Sequence, residues 1–405
     1  MKFLSRIWFS ICLCSTPLFA FEDTRVLPKG IRNLGIRSVN ANISRSALNN
    51  GEHQELAAPL ERSVTFGQLA KTKTGTERKQ VEGFLINNGF ASDDELGHFT
   101  ADMKGSVRAV APVFAYGITD RWTMGVALPV YSAKTSVDIG FKTNSRGQDL
   151  LNLLGNSQNN NVQGARDAAA QMNNLISKLQ SKLVDNGYDE VNDWSKTGMG
   201  DLLLVSRAKM FSSGMNSGLW SLTYSAPTGY VESPDILNDI SFGNGYHALG
   251  AGVSFDQGLA GPWFLNEYAS YTNTLPSQKK MRMKTPQESI EVPVDRVSFD
   301  AGDKWEAGAS LQADTEIGFI AGTGLVYQKK YADRIKAGES SSTLEANTEQ
   351  EARIFEALFG YSSVNAFRRG ESKIPYSLVT TYKRQLWSRN QPVAHQLQFD
   401  VKVFF

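Results

Sequence analysis

Side chains able to do chemistry are few in this chain of 405 residues, and they are scattered. The four histidines, His53, His98, His247 and His395, stand singly, with no pair at metal-ligand spacing and no HExxH. No GxSxG marks a nucleophile elbow. Gly322-Thr323-Gly324 lies inside an expected strand rather than at a strand-to-helix turn, so it is not read as a nucleotide loop. A lipase would need serine, histidine and a polar orienter on one face, and His247 with Ser254 does not make that case. No enzyme, metal or cofactor is expected. What the sequence offers instead is charge at alternate positions: Asp102, Lys104, Arg108, Asp201, Arg207, Lys209, Glu306, Asp400 and Lys402. Both signs are present, which suits internal ion pairs or a polar passage better than an ion-selective pore, where one sign would dominate.

Those charges need strands to hold them. The last stretch, His395 to Phe405, puts Leu397, Phe399, Val401, Val403 and Phe405 in one row and Gln396, Gln398, Asp400 and Lys402 in the other. Period two gives a strand with one face in an apolar medium and the other near water. From Phe99, the row Phe99, Ala101, Met103, Val107, Ala109, Ala111 and Val113 opposes Asp102, Lys104, Ser106 and Arg108. A lysine or arginine at the bilayer midplane costs about 2–4 kcal/mol, so the nine charges are assigned to a lumen. Further strands are expected at 31–44, 122–141, 201–210, 219–227, 246–257, 263–273, 305–314, 317–331, 351–363 and 374–387. The connections at 117–121, 212–218, 258–262 and 314–316 are short, and those at 142–199, 228–244, 274–304 and 332–350 are long. Such alternation belongs to an all-β, up-and-down antiparallel transmembrane barrel with short periplasmic turns and long outer loops. An even strand number makes the helix-like 351–363 a strand, gives about twelve in all, and places Phe405 at the periplasmic rim beside 31–44. Trp122, Trp220, Trp263, Trp305 and Trp387 stand near strand ends, where a membrane interface would want them.

The N-terminus supplies an address. Lys2 and Arg6 precede an apolar run ending at Leu18-Phe19-Ala20, so residues 1–20 read as a signal peptide and 21–405 as the barrel. Cys12 and Cys14, the only cysteines, would leave with it, and the mature chain would carry no thiol. Removing Lys2 and Arg6 from 42 basic residues leaves 40 against 41 acidic, a net charge of −1 that argues against nucleic acid. A mean hydropathy of −0.30 excludes a bundle of membrane helices but not a barrel, in which only alternate residues meet lipid.

Two segments break the strand pattern. Between about 145 and 196 an outer-loop insertion is expected, with a helix over 165–184 whose apolar face carries Met172, Leu175, Ile176, Leu179 and Leu183. That helix is either packed on its own loop or a lid over the barrel mouth. Another helix is expected near 76–88. Lys279-Lys280-Met281-Arg282-Met283-Lys284 forms a basic run in an outer loop, either simply solvated or in contact with lipopolysaccharide phosphates.

Several stretches resemble a known group. Ala111-Pro112-Val113-Phe114-Ala115-Tyr116-Gly117-Ile118-Thr119-Asp120-Arg121-Trp122, continuing through Met124-Gly125-Val126-Ala127-Leu128-Pro129-Val130, is similar to a strand–turn–strand of the outer-membrane barrels grouped under the MetA pathway of phenol degradation. Gly198-Met199-Gly200-Asp201-Leu202 resembles that family's G-x-GDL strand opening, and Ala226-Pro227-Thr228-Gly229 its P-T-G. The match covers roughly 100–260 and the C-terminal end. Phe399, Val401, Val403 and Phe405 resemble the terminal signal that the barrel-assembly machinery reads in such proteins. This group, and the distantly related long-chain fatty-acid transporters, imply passage of small hydrophobic or aromatic solutes. The expectation is therefore a monomeric channel or transporter in the cell outer membrane, its partners outer-membrane lipid, lipopolysaccharide and a small hydrophobic solute. A structural or adhesive surface barrel is the alternative, and a membrane-embedded lipase a third.

Overall fold

The computed structural model describes residues 23–71, 73–156, 174–283 and 293–405. The expected signal peptide, Met172 and Lys284 lie outside the described residues. Twelve strands follow one another in chain order: β1 (Arg32–Ala47), β2 (Glu95–Thr119), β3 (Trp122–Ala127, resuming as Val130–Thr143), β4 (Trp194–Met199, resuming as Leu202–Ser213), β5 (Asn216–Ala226) and β6 (Ala248–Gly258), then β7 (Trp263–Thr274), β8 (Lys304–Asp314), β9 (Phe319–Lys330), β10 (Gln350–Ser362), β11 (Tyr376–Arg389) and β12 (Gln391–Phe404). Each pairs antiparallel with its sequence neighbours, and β12 pairs β1 from Asn33↔Phe404 to Ala47↔Gln391, so the sheet closes without an edge. Segment 351–363, which also suits a helix, is β10. Barrel pairing overrides its local helical pattern, because an unpaired strand in lipid would leave a row of backbone groups unsatisfied.

Pro129 interrupts β3 because it has no N–H to give the ladder. The neighbouring strand breaks at the same level, where the Gly200 N–H reaches the Pro129 carbonyl at 2.8 Å, so pairing continues past the kink. Outward positions carry an apolar band, with Leu34 and Ile36 on β1, Phe114 on β2 and Phe399 and Val401 on β12 all exposed. Trp122, Trp220 and Trp263 lie outward near the short-turn end and Trp387 near the long-loop end.

Beyond the band the polarity of the wall inverts. On β2, Met103 and Val107 face inward and are buried, while Asp102, Lys104, Ser106 and Arg108 face outward and are exposed. On β1 and β3, Ile43, Tyr131 and Ala133 likewise face in, and Asn42, Ser132 and Lys134 face out. The inward apolar residues meet Ile240 and Phe242 of the 227–247 loop, which folds back into the mouth; Phe242 is fully buried and stacks on Tyr131 at 5.4 Å.

Helices α1 (Phe66–Ala70), α2 (Gly75–Asn87) and α3 (Ser145–Asn156) share a separate cluster around Phe66, Leu85 and Leu150. Helix α4 (Leu175–Asp185) overlaps the expected 165–184 helix, whose residues 165–173 lie outside the described residues, and its Leu183 packs beside Val137 and Ile139 on the inward face of β3. That is the position of a cover over the mouth. The basic run is not loop: Ser277–Arg282 is a strand of a small outer sheet with Val294–Asp300 and Arg334–Lys336.

Candidate functional site

The short-turn end of the lumen is crossed by the residues preceding β1. Thr24, 1% exposed, donates from its backbone N (3.0 Å) and its hydroxyl (2.6 Å) to Asp256 Oδ2 on β6, and its hydroxyl also meets Ser217 on β5. Arg25 pairs with Asp23 and, at 3.0 Å, with Asp314 at the end of β8. Arg207 on β4 donates to the Asp23 carbonyl, and the Leu27 N–H reaches Thr123 on β3 at 2.7 Å. Five residues thus form a strap held by five different strands.

Around and above the strap stand buried polar groups, most in reciprocal pairs. Arg37 meets Asp400 at 2.6 Å, and Gln398 donates to the other oxygen of the same carboxylate. Lys383 meets Glu356 at 2.5 Å. Glu306 accepts from the Tyr268 hydroxyl at 2.7 Å and the Gln328 amide at 2.6 Å. Of the nine charges assigned to the lumen, Asp201, Arg207, Lys209, Glu306, Asp400 and Lys402 have inward positions. Asp102, Lys104 and Arg108 do not. Their strand runs beyond the hydrocarbon layer, where headgroups and then water lie outside the wall and the folded-back loop fills the inside, so alternation there points the polar row outward.

Asp201 is an anchor. Its carboxylate accepts the Gly229 N–H at 2.9 Å and, on the other oxygen, the Asn244 N–H at 2.8 Å and side-chain amide at 3.1 Å. Thr228 accepts from the Leu202 N–H at 2.9 Å and donates to the Gly200 carbonyl. The two motifs GMGDL and PTG are therefore halves of one knot that turns the 227–247 loop inward. A Cβ on Gly229 would stand 2.7 Å from the Gly243 Cα, so the backbones approach as only glycine permits.

Between knot and strap lies a cavity of about 250 Å³. One wall, from β1 to β4, presents Val39, Val107, Ala127, Leu203 and Val205; the facing wall presents Ser221, Thr223, Ser270, Thr272 and Thr274 from β5 and β7. Such a lumen has an apolar side, a hydroxyl side and, from β8 to β10, a charged side with Lys304, Glu306, Lys329, Lys330 and Glu351.

The outer cover is fastened by charge. Arg282 donates to the carbonyls of Pro234 and Asn186 at 2.9 Å, pairs with Asp235 at 2.5 Å and lies over the Tyr188 ring, joining three loops. Lys279 pairs with Glu232. Burial opposes ionisation of Glu232, but Lys279 outweighs it and the pKa is lowered. Asp239, by contrast, is raised by burial, although Tyr230 and Ser233 donate to it. Within the basic run Lys279 and Arg282 are therefore loop ties, while Lys280 is exposed. Sequence reading missed Arg37, Thr24, Phe242 and the Lys383–Glu356 pair; Arg37 was legible as a polar inward position in β1, but that strand alternates poorly. His247 and Ser254 fall on opposite faces of the wall, with His247 bound to the Tyr224 hydroxyl at 2.7 Å.

No family model and no curated protein sequence matches the chain. Among solved structures, an outer membrane channel from Pseudomonas putida F1 is similar at a TM-score of 0.53 and 12% identity, covering 95% of this chain and 99% of that one. The fold is that of an outer-membrane β-barrel. At that identity the likeness of the barrel establishes architecture alone. A Pseudomonas aeruginosa FadL homologue (TM-score 0.36, 8% identity, 95% and 93% covered) and the beta domain of the Bordetella autotransporter BrkA (0.35, 7%, 92% and 99%) are more distant, and nothing about the barrel is argued from them.

Proposed function

We propose that the protein is an outer-membrane channel for small solutes with an apolar or aromatic body. The observation that carries this reading is the apolar wall of the β1–β4 side, set beside a hydroxyl wall, in the cavity between the 227–247 loop and the strap. An apolar cavity of about 150 Å³ is enough to hold benzene, so about 250 Å³ suits a single-ring solute with a polar substituent facing the hydroxyl wall. Closed strands with an apolar outer band place the barrel in a bilayer, and the twelve-strand circumference keeps its lumen narrow beside those of 16–18-stranded porins. The resemblance of the GMGDL and PTG motifs to channel-forming barrels agrees with it.

Flux of single-ring aromatics and of sugars of equal size into proteoliposomes tests the reading. Aromatic flux well above empty liposomes is expected, and equal leakage of both classes, or none, would sink it. The alternative of an adhesive barrel rests on the large outer cover. Deleting 145–195 separates the two: a channel keeps or gains flux, whereas an adhesin loses surface binding with flux unchanged.

A further inference from the structure

On one side of the barrel the outward apolar residues give way to basic or amide side chains on adjacent strands, although on β11 exposed Leu386 follows Arg384. On β10, outward Phe355 gives way to Arg353; on β11, Tyr382 to Arg384; on β12, Leu397 to His395; on β2, Val110 to Arg108. On β3, Lys134 follows Ser132. β1, between β12 and β2, supplies Asn40 and Asn42. The register ties them into a continuous surface: Arg384 opposes His395, His395 opposes Asn42, Asn42 opposes Ser106, and Ser106 opposes Lys134. Among the described residues, carboxylates on β2 and β3 appear only farther out, from Asp102 and Asp138 on, while on β10 Glu351 follows Arg353 and is engaged by Arg389.

Three exposed arginines elsewhere have partners, Arg45 with Glu55, Arg78 with Glu82 and Arg369 with Glu371, while among the described residues Arg32, Arg296, Arg334 and Arg368 stand singly and are not grouped on adjacent barrel strands. Among the described residues Arg108, Lys134 and Arg384 form no ion pair. Arg353 lies over the Trp387 ring at 5.1 Å, and His395 is held through Nδ1 by the Tyr382 hydroxyl at 3.2 Å. Unpaired cations one step above lipid-facing side chains stand at headgroup level, where phosphate oxygens are the available acceptors. Hydroxyls and amides lie among them, at Asn40, Asn42, Ser106, Ser132 and Thr197. A plain phospholipid has no use for that many neutral donors and acceptors, whereas a phosphorylated saccharide has. Six adjacent strands at about 4.8 Å spacing make a face roughly 24 Å wide, broad enough for a lipid with several acyl chains.

We infer that the outward rim of β10–β12 and β1–β3 binds a phosphorylated glycolipid of the outer leaflet, with Arg108, Lys134 and Arg384 taking its phosphates and the β1–β3 hydroxyls and amides its sugars. This site is independent of what passes through the lumen.

Full-length protein folded in nanodiscs, then washed into detergent and weighed by native mass spectrometry, tests this. The probes are lipopolysaccharide with its lipid A phosphates, the same lipid after phosphatase treatment, and phosphatidylglycerol. Retention of the intact glycolipid over both others is expected. In R108Q/K134Q/R384Q that retention falls roughly tenfold, the scale of one or two lost charge-assisted contacts. Lys104→Gln, which removes a lysine already paired with Asp102, leaves it unchanged. Equal retention of phosphatidylglycerol, or undiminished retention by the triple variant, would overturn the assignment. Heat-modifiable gel migration reports whether the triple variant is folded; if it is not, R108Q and R384Q are measured singly, and full retention by both overturns it equally.

Discussion

Arg37 and Asp400, 363 residues apart in the chain, oppose one another in the β1–β12 register and join at 2.6 Å with both side chains nearly inaccessible. The seam that closes the barrel is thus marked inside by one buried ion pair. Removing one partner of such a pair strands the other's charge, at about 3–5 kcal/mol, whereas replacing both by apolar residues of similar size is often nearly neutral. Asp400→Ala should therefore lower unfolding stability by roughly that amount, and Arg37→Met/Asp400→Leu should recover most of it. Equilibrium urea unfolding in lipid vesicles measures both. Equal loss in the single and double variants would mean that the pair supplies more than charge balance.

The strap predicts a conductance effect. Thr24 makes two hydrogen bonds to one carboxylate oxygen of Asp256, each bond to a charged group worth about 1.5–3 kcal/mol. Asp256→Ala should loosen the strap and raise single-channel conductance in planar bilayers. Deletion of 23–27 should raise it further, since Arg25 and Leu27 anchor the same segment to β8 and β3. Conductance equal to wild type in both would show that the ion path avoids the strap.

Acid should loosen the outer cover. Glu232 is outside the spanning strands, and Lys279 keeps its pKa below the usual 4.5 despite burial. A carboxylate lowered in the folded state contributes stability that is complete above its unfolded value and disappears as pH falls through the folded one. Hydrogen-exchange protection factors over 228–245 should therefore hold steady from pH 8 to near 5 and fall below 4.5, while E232Q is less protected near neutral pH and converges with wild type at low pH. Comparison with E232Q separates Glu232 from Asp239, whose pKa is raised by burial, so that its protonation acts in the opposite direction. A wild-type profile parallel to that of E232Q across the whole range would remove Glu232 from the account.

Much of the barrel was legible because a closed sheet in lipid leaves the chain little freedom. Alternation at Leu397–Phe405, turn-length alternation as far as β10 and an even strand number gave the count, the seam and β10 despite its helix-like pattern. The last two connections reverse the rule, with 363–375 long at the short-turn end and Asn390 alone at the outer end. The lumen was less legible. Alternation shows that two faces differ but not which is wet, and that choice was made for every strand by assuming lipid outside. The assumption holds at Asp400 and Arg207 and fails at Asp102, Lys104 and Arg108, where β2 has left the hydrocarbon layer. The 227–247 loop that reverses the polarity carries no periodicity, and its position depends on hydrogen bonds to Asp201 from residues 28 and 43 positions away.

That reversal can be tested directly at two adjacent residues. Met103 is 2% exposed, in the cluster with Phe242, while Asp102 points outward, its side chain 61% exposed, beside Lys104. If the outer wall had the polarity of the membrane-spanning wall, Asp102→Leu would remove a lumen charge and Met103→Asp would place one against lipid. In the observed arrangement Asp102→Leu changes a solvated surface and should alter stability by no more than about 0.5 kcal/mol. Met103→Asp buries an unpaired carboxylate in an apolar cluster, which costs several kcal/mol unless the cluster opens to water. Because the cluster joins the cover to the wall, opening is the cheaper response. Met103→Asp should therefore leave the spanning barrel heat-modifiable and folded while the 227–247 loop becomes open to protease, and Asp102→Leu should leave the loop as protected as in wild type. Protection of the loop in both variants would place the cover's anchorage elsewhere than on the inward face of β2.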